Sequence, residues 1–238
     1  MQWSADGLII GVRRHGETSV ILEAMVVDHG RCLGLVRGGR SRRQAAVLQP
    51  GNTVALTWRA RLEDHLGLFA VDLITARAAR LIEDRTKLYA FQLAADHLRL
   101  LPERDPHNER LGEILALIDG DADPIVLGTA LARLEMHLLD DLGFGLDLAA
   151  CAVTGDSDGL AYVSPRSGRA VTREGAGIYA DRLLALPGFF VGDDRASAAD
   201  IAAAFRLTGH FLNEHVWGPR QIAPPSTRET LIAALSGL

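Results

Sequence analysis

The hydrophobic period of the chain changes once, near residue 80, and that change limits what the chain can fold into. Before it, apolar residues come in short runs: GLIIGVRR (7–14), SVILEAMVVD (19–28), RCLGLVR (31–37), TVALTWRAR (53–61) and LFAVDLITA (68–76). Val, Ile and Leu dominate them, and the last two alternate apolar with polar positions, the two-residue period of a half-buried strand. Asp28-His29-Gly30 and Pro50-Gly51-Asn52 punctuate the runs. Glycine accepts the positive φ of a tight turn, and proline presets φ at its first central position. Five strands in about 75 residues predict a small closed barrel. An OB-fold has five strands; the count leaves an SH3-like barrel open as well.

After Arg80 the period is helical. Leu81, Leu88, Phe91, Leu98 and Leu101 recur near 3.6-residue spacing, and Pro102 stops the run. A short helix is expected over Glu109 to Ile118. Asp123-Pro124 pairs an N-cap with proline at the first helical position. Leu127, Leu131, Leu134, Leu138 and Leu142 then form one apolar face that Gly143 can close. Residues 144–175 lose the pattern and read as a glycine-rich insertion with a hairpin around Leu160 to Val171. Helical signals return at Ile178 to Leu186. Ser197 with Asp200 resembles a capping box, and Ser226 with Glu229 a second one.

Charge is spread unevenly. Residues 1–80 hold eleven arginines against seven acids; the remainder holds fourteen cations against 23 acids. Such an asymmetry points to a polyanionic partner for the amino-terminal part. Lys87 is the only lysine. Arginine offers a planar fork that matches phosphate and stacks on bases, although a biased genome composition produces the same excess. The density peaks at VRGGRSRR, residues 36–43, where Arg37, Arg40, Arg42 and Arg43 flank two glycines. Glycine lets backbone approach a phosphate closely, and guanidinium groups supply charge and bidentate bonds. Arg13, Arg14, Arg59 and Arg61 sit on neighbouring predicted strands and extend the patch. Trp3, Trp58 and Phe69 are aromatic candidates for base stacking. Trp58, between Thr57 and Arg59, is the best placed of them, although aromatic residues in a small barrel more often form its core.

Other chemistry finds little support. There is no P-loop, no dinucleotide fingerprint and no G-x-S-x-G. Asp28-His29 and His15-Gly16-Glu17 resemble acid–base pairs without a nucleophile motif. His210 and His215 are spaced five apart, unlike the H-E-x-x-H arrangement. Cys151-Ala-Val-Thr154 has half the spacing of a zinc knuckle, but SPRSGRAVTREG downstream holds neither Cys nor His, so no metal and no cofactor are expected. Two distant cysteines, Cys32 and Cys151, form no disulfide framework and suit a reducing cytoplasm. MQWSADGLII is not a secretory leader, and no apolar run is long enough to span a membrane.

DGLIIGVRRHGETSVILEAMVVDHG, then LGLVRGGRSR, then LQPGN before a β-run, resembles the amino-terminal domain of the RecO recombination-mediator family. CAVTGDSDGLAYVSPRSGRAV falls where many members of that family carry a four-cysteine zinc knuckle. The likeness extends over nearly the whole chain and is strongest in residues 6–52 and 143–171. It implies an α+β multidomain protein: an OB-fold barrel over 1–80, and a helical domain over 81–238 with a degenerate knuckle at 144–175. Of the four cysteines only Cys151 remains. Thr154 takes the second place, and the later pair falls near Val171 and Glu174. A metal-free knuckle is therefore expected, with Leu160, Tyr162 and Val163 packing in place of zinc.

The resemblance also implies a function. Such a protein binds single- and double-stranded DNA and anneals complementary strands. With RecR it helps load RecA onto strands coated by single-stranded-DNA-binding protein, in the cytoplasm at the nucleoid. The DNA contacts implied are Arg37, Arg40, Arg42 and Arg43, with Arg13 and Arg14 behind them. The acidic, apolar carboxy-terminal tail of the coating protein is expected in a groove of the helical domain with a cation, the candidates being Arg99, Arg104, Arg110 and Arg133. Two alternatives stand beside this reading: an OB-fold adaptor that binds an acidic peptide and no DNA, and a hydrolase built on Asp28-His29.

Overall fold

The computed structural model describes residues 1–62, 65–104, 109–120, 123–193 and 195–236; the side chains of residues 109–111, 113 and 236 fall outside that description. Two compact units divide at Asp119 and Gly120. The division expected at residue 80 marks where strands give way to helices. The helices up to Asp119 belong to the amino-terminal unit.

In that unit, β1 (Gln2–His15), β2 (Ser19–Val26), β3 (Gly30–Val36), β4 (Thr53–Arg59) and β5 (Leu68–Thr75) close a barrel in the order β1-β2-β3-β5-β4. Helix α1 (Arg42–Val47) connects β3 to β4. This is an OB-fold. Closure depends on the length of β1. Its first half pairs with β4, from Gln2↔Arg59 to Leu8↔Thr53, and its second half with β2, from Gly7↔Val26 to His15↔Ser19. A register shift between Ile9 and Gly11 bends it from one partner to the other. The sequence pattern begins this strand only at Gly7, because Gln2–Asp6 carries just Trp3 and Ala5 on its inward face.

Ile9, Leu22, Leu56 and Val54 fill the barrel with 1% exposure or less, each stabilising by about 1.5–3 kcal/mol. β2 is buried on both sides. Val20, Leu22, Ala24 and Val26 face the barrel core, and on the outer side Glu23 holds Arg31 and Arg99. Phe69 lies against the bare backbone of Gly34, where an added Cβ would stand 2.3 Å from its Cδ2. The LQPGN turn is locked from within. Asn52 Nδ2 donates to the Val47 carbonyl (2.9 Å), and its Oδ1 accepts from the Ala78 amide (3.0 Å). Arg77, at the start of α2 (Arg77–Leu81), donates to Gly51 O and Thr53 Oγ1 and forks onto Asp119 at 2.8 and 2.7 Å. The single run expected from Leu81 to Leu101 divides into α2 and α3 (Arg85–Leu98), with Asp84 capping α3. α4 (Glu109–Asp119) closes the unit.

In the second unit, Asp123 caps α5 (Pro124–Asp141), and Gly143 follows it at φ 85°. β6 (Leu160–Val163) and β7 (Ala170–Thr172) form the expected hairpin, and β8 (Leu184–Ala185) adds a third strand on β6. The helix expected over Ile178–Leu186 is replaced by a short α6 (Arg173–Ala176), a 3-10 turn (Gly177–Arg182) and β8. Ile178 and Tyr179 are exposed there, so no apolar face forms to be buried. Ser197 and Asp200 make a complete capping box for α7 (Ala198–Leu212), which runs through a π turn (Asn213–Trp217) into α8 (Gly218–Arg220). α9 (Ser226–Ser236) begins on Ser226 itself. Under these helices lies a buried polar knot. The Arg228 guanidinium forks onto Glu135 at 2.8 and 2.9 Å, and the Thr208 hydroxyl donates to the same carboxylate. No helix among the described residues is long and apolar enough to cross a membrane.

Candidate nucleic-acid interface

VRGGRSRR is built rather than loose. β3 ends at Val36, residues 37–40 turn with Gly38 at φ 66°, and Ser41 Oγ caps α1 by accepting from the Gln44 amide (3.3 Å). Arg42 and Arg43 are therefore the first two residues of a helix, not part of a flexible loop. The Gly39 backbone packs so closely that an added Cβ would stand 2.6 Å from Val20 Cγ2. Arg40 is a strut. Its amide donates to Thr18 O (3.0 Å), and its guanidinium donates to the carbonyls of Gly16 and Glu17. The stretch is thereby tied to the β1–β2 turn.

This tie gathers Arg13 and Arg14, at the end of β1, with Arg37, Arg40, Arg42 and Arg43 at one end of the barrel. Arg14 and Arg40 line a cleft of about 420 Å³ whose walls are Val12, Val20, Ala45 and Leu48. Arg13, Arg14, Arg37, Arg42 and Arg43 are all exposed, and none has a carboxylate partner among the described residues. Arg31, Arg77, Arg80, Arg99, Arg169 and Arg228 are ion-paired. Those six arginines thus carry ion pairs, and five exposed ones lie near the β1–β2 and β3–α1 connections, while Arg59, Arg61, Arg85, Arg173 and Arg206 are exposed elsewhere. Guanidinium groups without an internal anion attract phosphate without regard to sequence.

Arg59 and Arg61 sit at and just beyond the end of β4. In register, Arg59 faces Leu68, Leu68 faces Leu35, Leu35 faces Ile21 and Ile21 faces Arg13. Arg59 thus lies two strand spacings, of about 4.8 Å each, from β3 at Leu35, and Leu35 stands two residues before Arg37. Trp58 is not an open stacking platform, for it is 3% exposed and its indole N–H donates to Leu66 O (3.2 Å). Phe69 is core. Trp3 is the half-buried ring of the three, stacked on His29 with centroids 4.1 Å apart. A terminal, mostly polar segment carries it, which is why the sequence pattern undervalues it.

Among the cations considered for the helical part, Arg99 pairs with Glu23 and Asp96, and Arg104 lies over the Trp58 ring at 5.6 Å. The Arg110 side chain lies outside the described residues. Arg133 borders a groove of about 240 Å³ with Leu146, Leu148, Phe189 and Phe190, and donates to Phe189 O (3.1 Å). His210 reaches Pro165 O at 3.0 Å, and His215 stacks on Phe144; the two do not converge on one point.

At the knuckle, Cys151 Sγ accepts amide N–H groups from Val153 and Thr154 (3.4 Å each) and Thr172 (3.2 Å). Burial alone would raise the thiol, but bonds from Thr154 and Thr172 outweigh it and bring the pKa down to about 6. Leu160 and Tyr162 pack on Cys151, Val171 and Ala176, and Val163 is fully buried. Val171 is thus part of this small core, while Glu174 is exposed on α6. Among the described residues, no three His, Cys, Asp or Glu side chains are grouped to hold a metal ion.

Comparison with known proteins adds the lineage. Residues 1–77 match the family model described as recombination protein O N terminal, and residues 82–221 the one described as recombination protein O C terminal. A DNA repair protein RecO of Chelativorans sp. (strain BNC1) is 54% identical over 240 residues, covering 99% of this chain and 96% of that protein. Those of Sinorhizobium medicae (strain WSM419) and Brucella abortus (strain 2308) are 52% and 50% identical, covering 98% and 99% of this chain and 94% and 96% of their own lengths. Barrel topology, the order of elements and identity along both units agree: the chain belongs to the RecO family.

Proposed function

We propose that this chain is a non-enzymatic mediator of DNA repair and recombination, which binds single- and double-stranded DNA, anneals complementary strands, and with RecR helps load RecA onto strands coated by single-stranded-DNA-binding protein. The observation that carries the reading is the outward set of arginines, Arg13, Arg14, Arg37, Arg42 and Arg43, at one end of an OB-fold. Phosphate contacts fix a strand without reading its sequence. Two strands held through their phosphates repel each other less, and their bases stay available for pairing. Arg40 shapes the surface, while its neighbours make the contacts.

The labour divides along the chain. The barrel, residues 1–80, takes the nucleic acid, and residues 81–238, with the knuckle at 144–175, take the protein partners. Arg133 is the cation best placed for the acidic, apolar tail of the coating protein, because it borders a groove walled by Phe189, Phe190, Leu146 and Leu148. The knuckle keeps its shape by packing and by N–H bonds to Cys151 in place of metal ligation. This assignment places the protein in the cytoplasm, at the nucleoid.

The test is strand annealing by a variant with Arg14, Arg37, Arg42 and Arg43 replaced by glutamine, Arg40 being kept. Annealing is lost while circular dichroism and the unfolding midpoint stay those of the wild type. A folded variant that anneals normally refutes the assignment. Negligible affinity of the wild type for any oligonucleotide at low salt leaves the adaptor reading in its place.

A further inference from the structure

The other end of the barrel holds a column of aromatic rings. Trp3 on β1 and Trp58 on β4 are register partners, with ring centroids 5.7 Å apart and planes within 14°. His29, in the β2–β3 turn, lies against Trp3 at 4.1 Å, also within 14°. Trp58 is sealed inside, while Trp3 and His29 are half-buried. The column borders an open cleft of about 400 Å³ at the barrel mouth, which Cys32 and Arg104 also line. That size falls within the range of small-molecule clefts. Burial pushes the Cys32 thiol up to about 11, so that group is neutral, and Asp28 also lines the cleft.

Arg104 is held at this mouth. Its backbone takes φ 63°, a conformation disfavoured for a residue with a side chain. Its amide donates to Arg31 O (2.8 Å), its guanidinium donates to His65 O (3.0 Å) and sits over the Trp58 ring. Strained backbone of this kind persists where surrounding structure enforces it, and concentrates at functional sites. Arg59, next to Trp58 in the chain, is exposed beside the same register pair. β2 separates the His29 turn from the arginine cluster by eight residues, about 26 Å of strand.

We infer that the barrel mouth binds an unpaired nucleobase, stacked on the His29–Trp3–Trp58 column and flanked by the planar cation of Arg104, as a site separate from the arginine cluster. The inference rests on the nucleic-acid reading above and deepens it. A phosphate cluster does not distinguish strand from duplex by itself. Every base has a π face, so a stacking column accepts any sequence. A duplex keeps its bases stacked on each other and has none to offer. The mouth therefore adds a preference for single strands, and pairing during annealing withdraws the base from it.

The experiment compares a short labelled thymidine oligonucleotide with an abasic oligonucleotide carrying the same number of phosphates, by fluorescence anisotropy at one salt concentration. Wild type binds the base-bearing strand about tenfold to a hundredfold more tightly. His29→Ala brings that affinity down towards the abasic value and leaves the abasic affinity unchanged, while Arg104→Gln lowers the affinity for the base-bearing strand by a larger factor than that for the abasic one. His29→Phe, which restores a ring, retains the preference. Equal binding of both probes by wild type, or an undiminished preference in His29→Ala, overturns the pocket and leaves the arginine cluster standing. Binding of neither probe overturns both readings.

Discussion

Replacing Arg14, Arg37, Arg42 and Arg43 with glutamine removes four exposed guanidinium groups and leaves the Arg40 strut in place. Five arginines at that end of the barrel have no carboxylate partner among the described residues. If each neutralises one phosphate, log affinity for a single strand falls with log salt at a slope of about −3.5, from about −0.7 per phosphate. Between about 50 and 200 mM salt, affinity then drops roughly a hundredfold. The variant keeps only Arg13. Its slope falls to about −0.7, and the same salt change weakens it only about threefold. The side chains removed are exposed, so stability shifts by no more than about 0.5 kcal/mol. Anisotropy titrations of wild type and variant over a salt series supply both slopes. A folded variant whose slope stays near that of the wild type refutes the reasoning, since the phosphates would then be met elsewhere.

Three further outcomes follow from the packing. Arg228→Met takes the charged partner from the fully buried Glu135 carboxylate and destabilises the chain by about 3–5 kcal/mol in urea unfolding, whereas the double variant Glu135→Leu/Arg228→Met recovers most of the loss; a double variant worse than the single one contradicts this account. Gly34→Ala drives a methyl into Phe69 and costs about 1–3 kcal/mol, part of which Phe69→Leu restores in the same assay. Because the folded Cys151 thiol is held near pH 6, below its ordinary 9.0, its stabilisation is full above pH 9 and is lost as pH falls through 6. The urea midpoint of wild type accordingly rises from pH 6 to pH 9 more than that of Cys151→Ala, and parallel profiles would count against the thiolate.

The strands, the LQPGN turn, the Asp123 cap and the Ser197–Asp200 box are legible because each depends on neighbours in sequence. Arginine is not legible in that way. Arg77 finds Asp119 42 residues away, and Arg228 finds Glu135 93 residues away. Before folding, both look like the arginines turned to solvent. The helix at Arg42–Val47 is short and buries no residue of its own, so it leaves no apolar period to read. Trp58 looks like a platform between polar neighbours, yet Leu66 and Arg104 close over it, and only tertiary structure brings His29 onto Trp3.

The barrel closes through unequal joints. β1 with β2 and β1 with β4 run over long registers, while β3 meets β5 in parallel through the single registered pair Leu35↔Leu68, helped by the Leu35 amide on Gly67 O (3.0 Å). A seam of that kind opens locally well before the whole domain unfolds. Amides of Leu35 and its neighbours are therefore the first of the barrel to exchange with deuterium. β3 leads directly from that seam into the turn at residues 37–40 and the start of α1, so the barrel can breathe beside its arginine-rich end while its long registers stay shut.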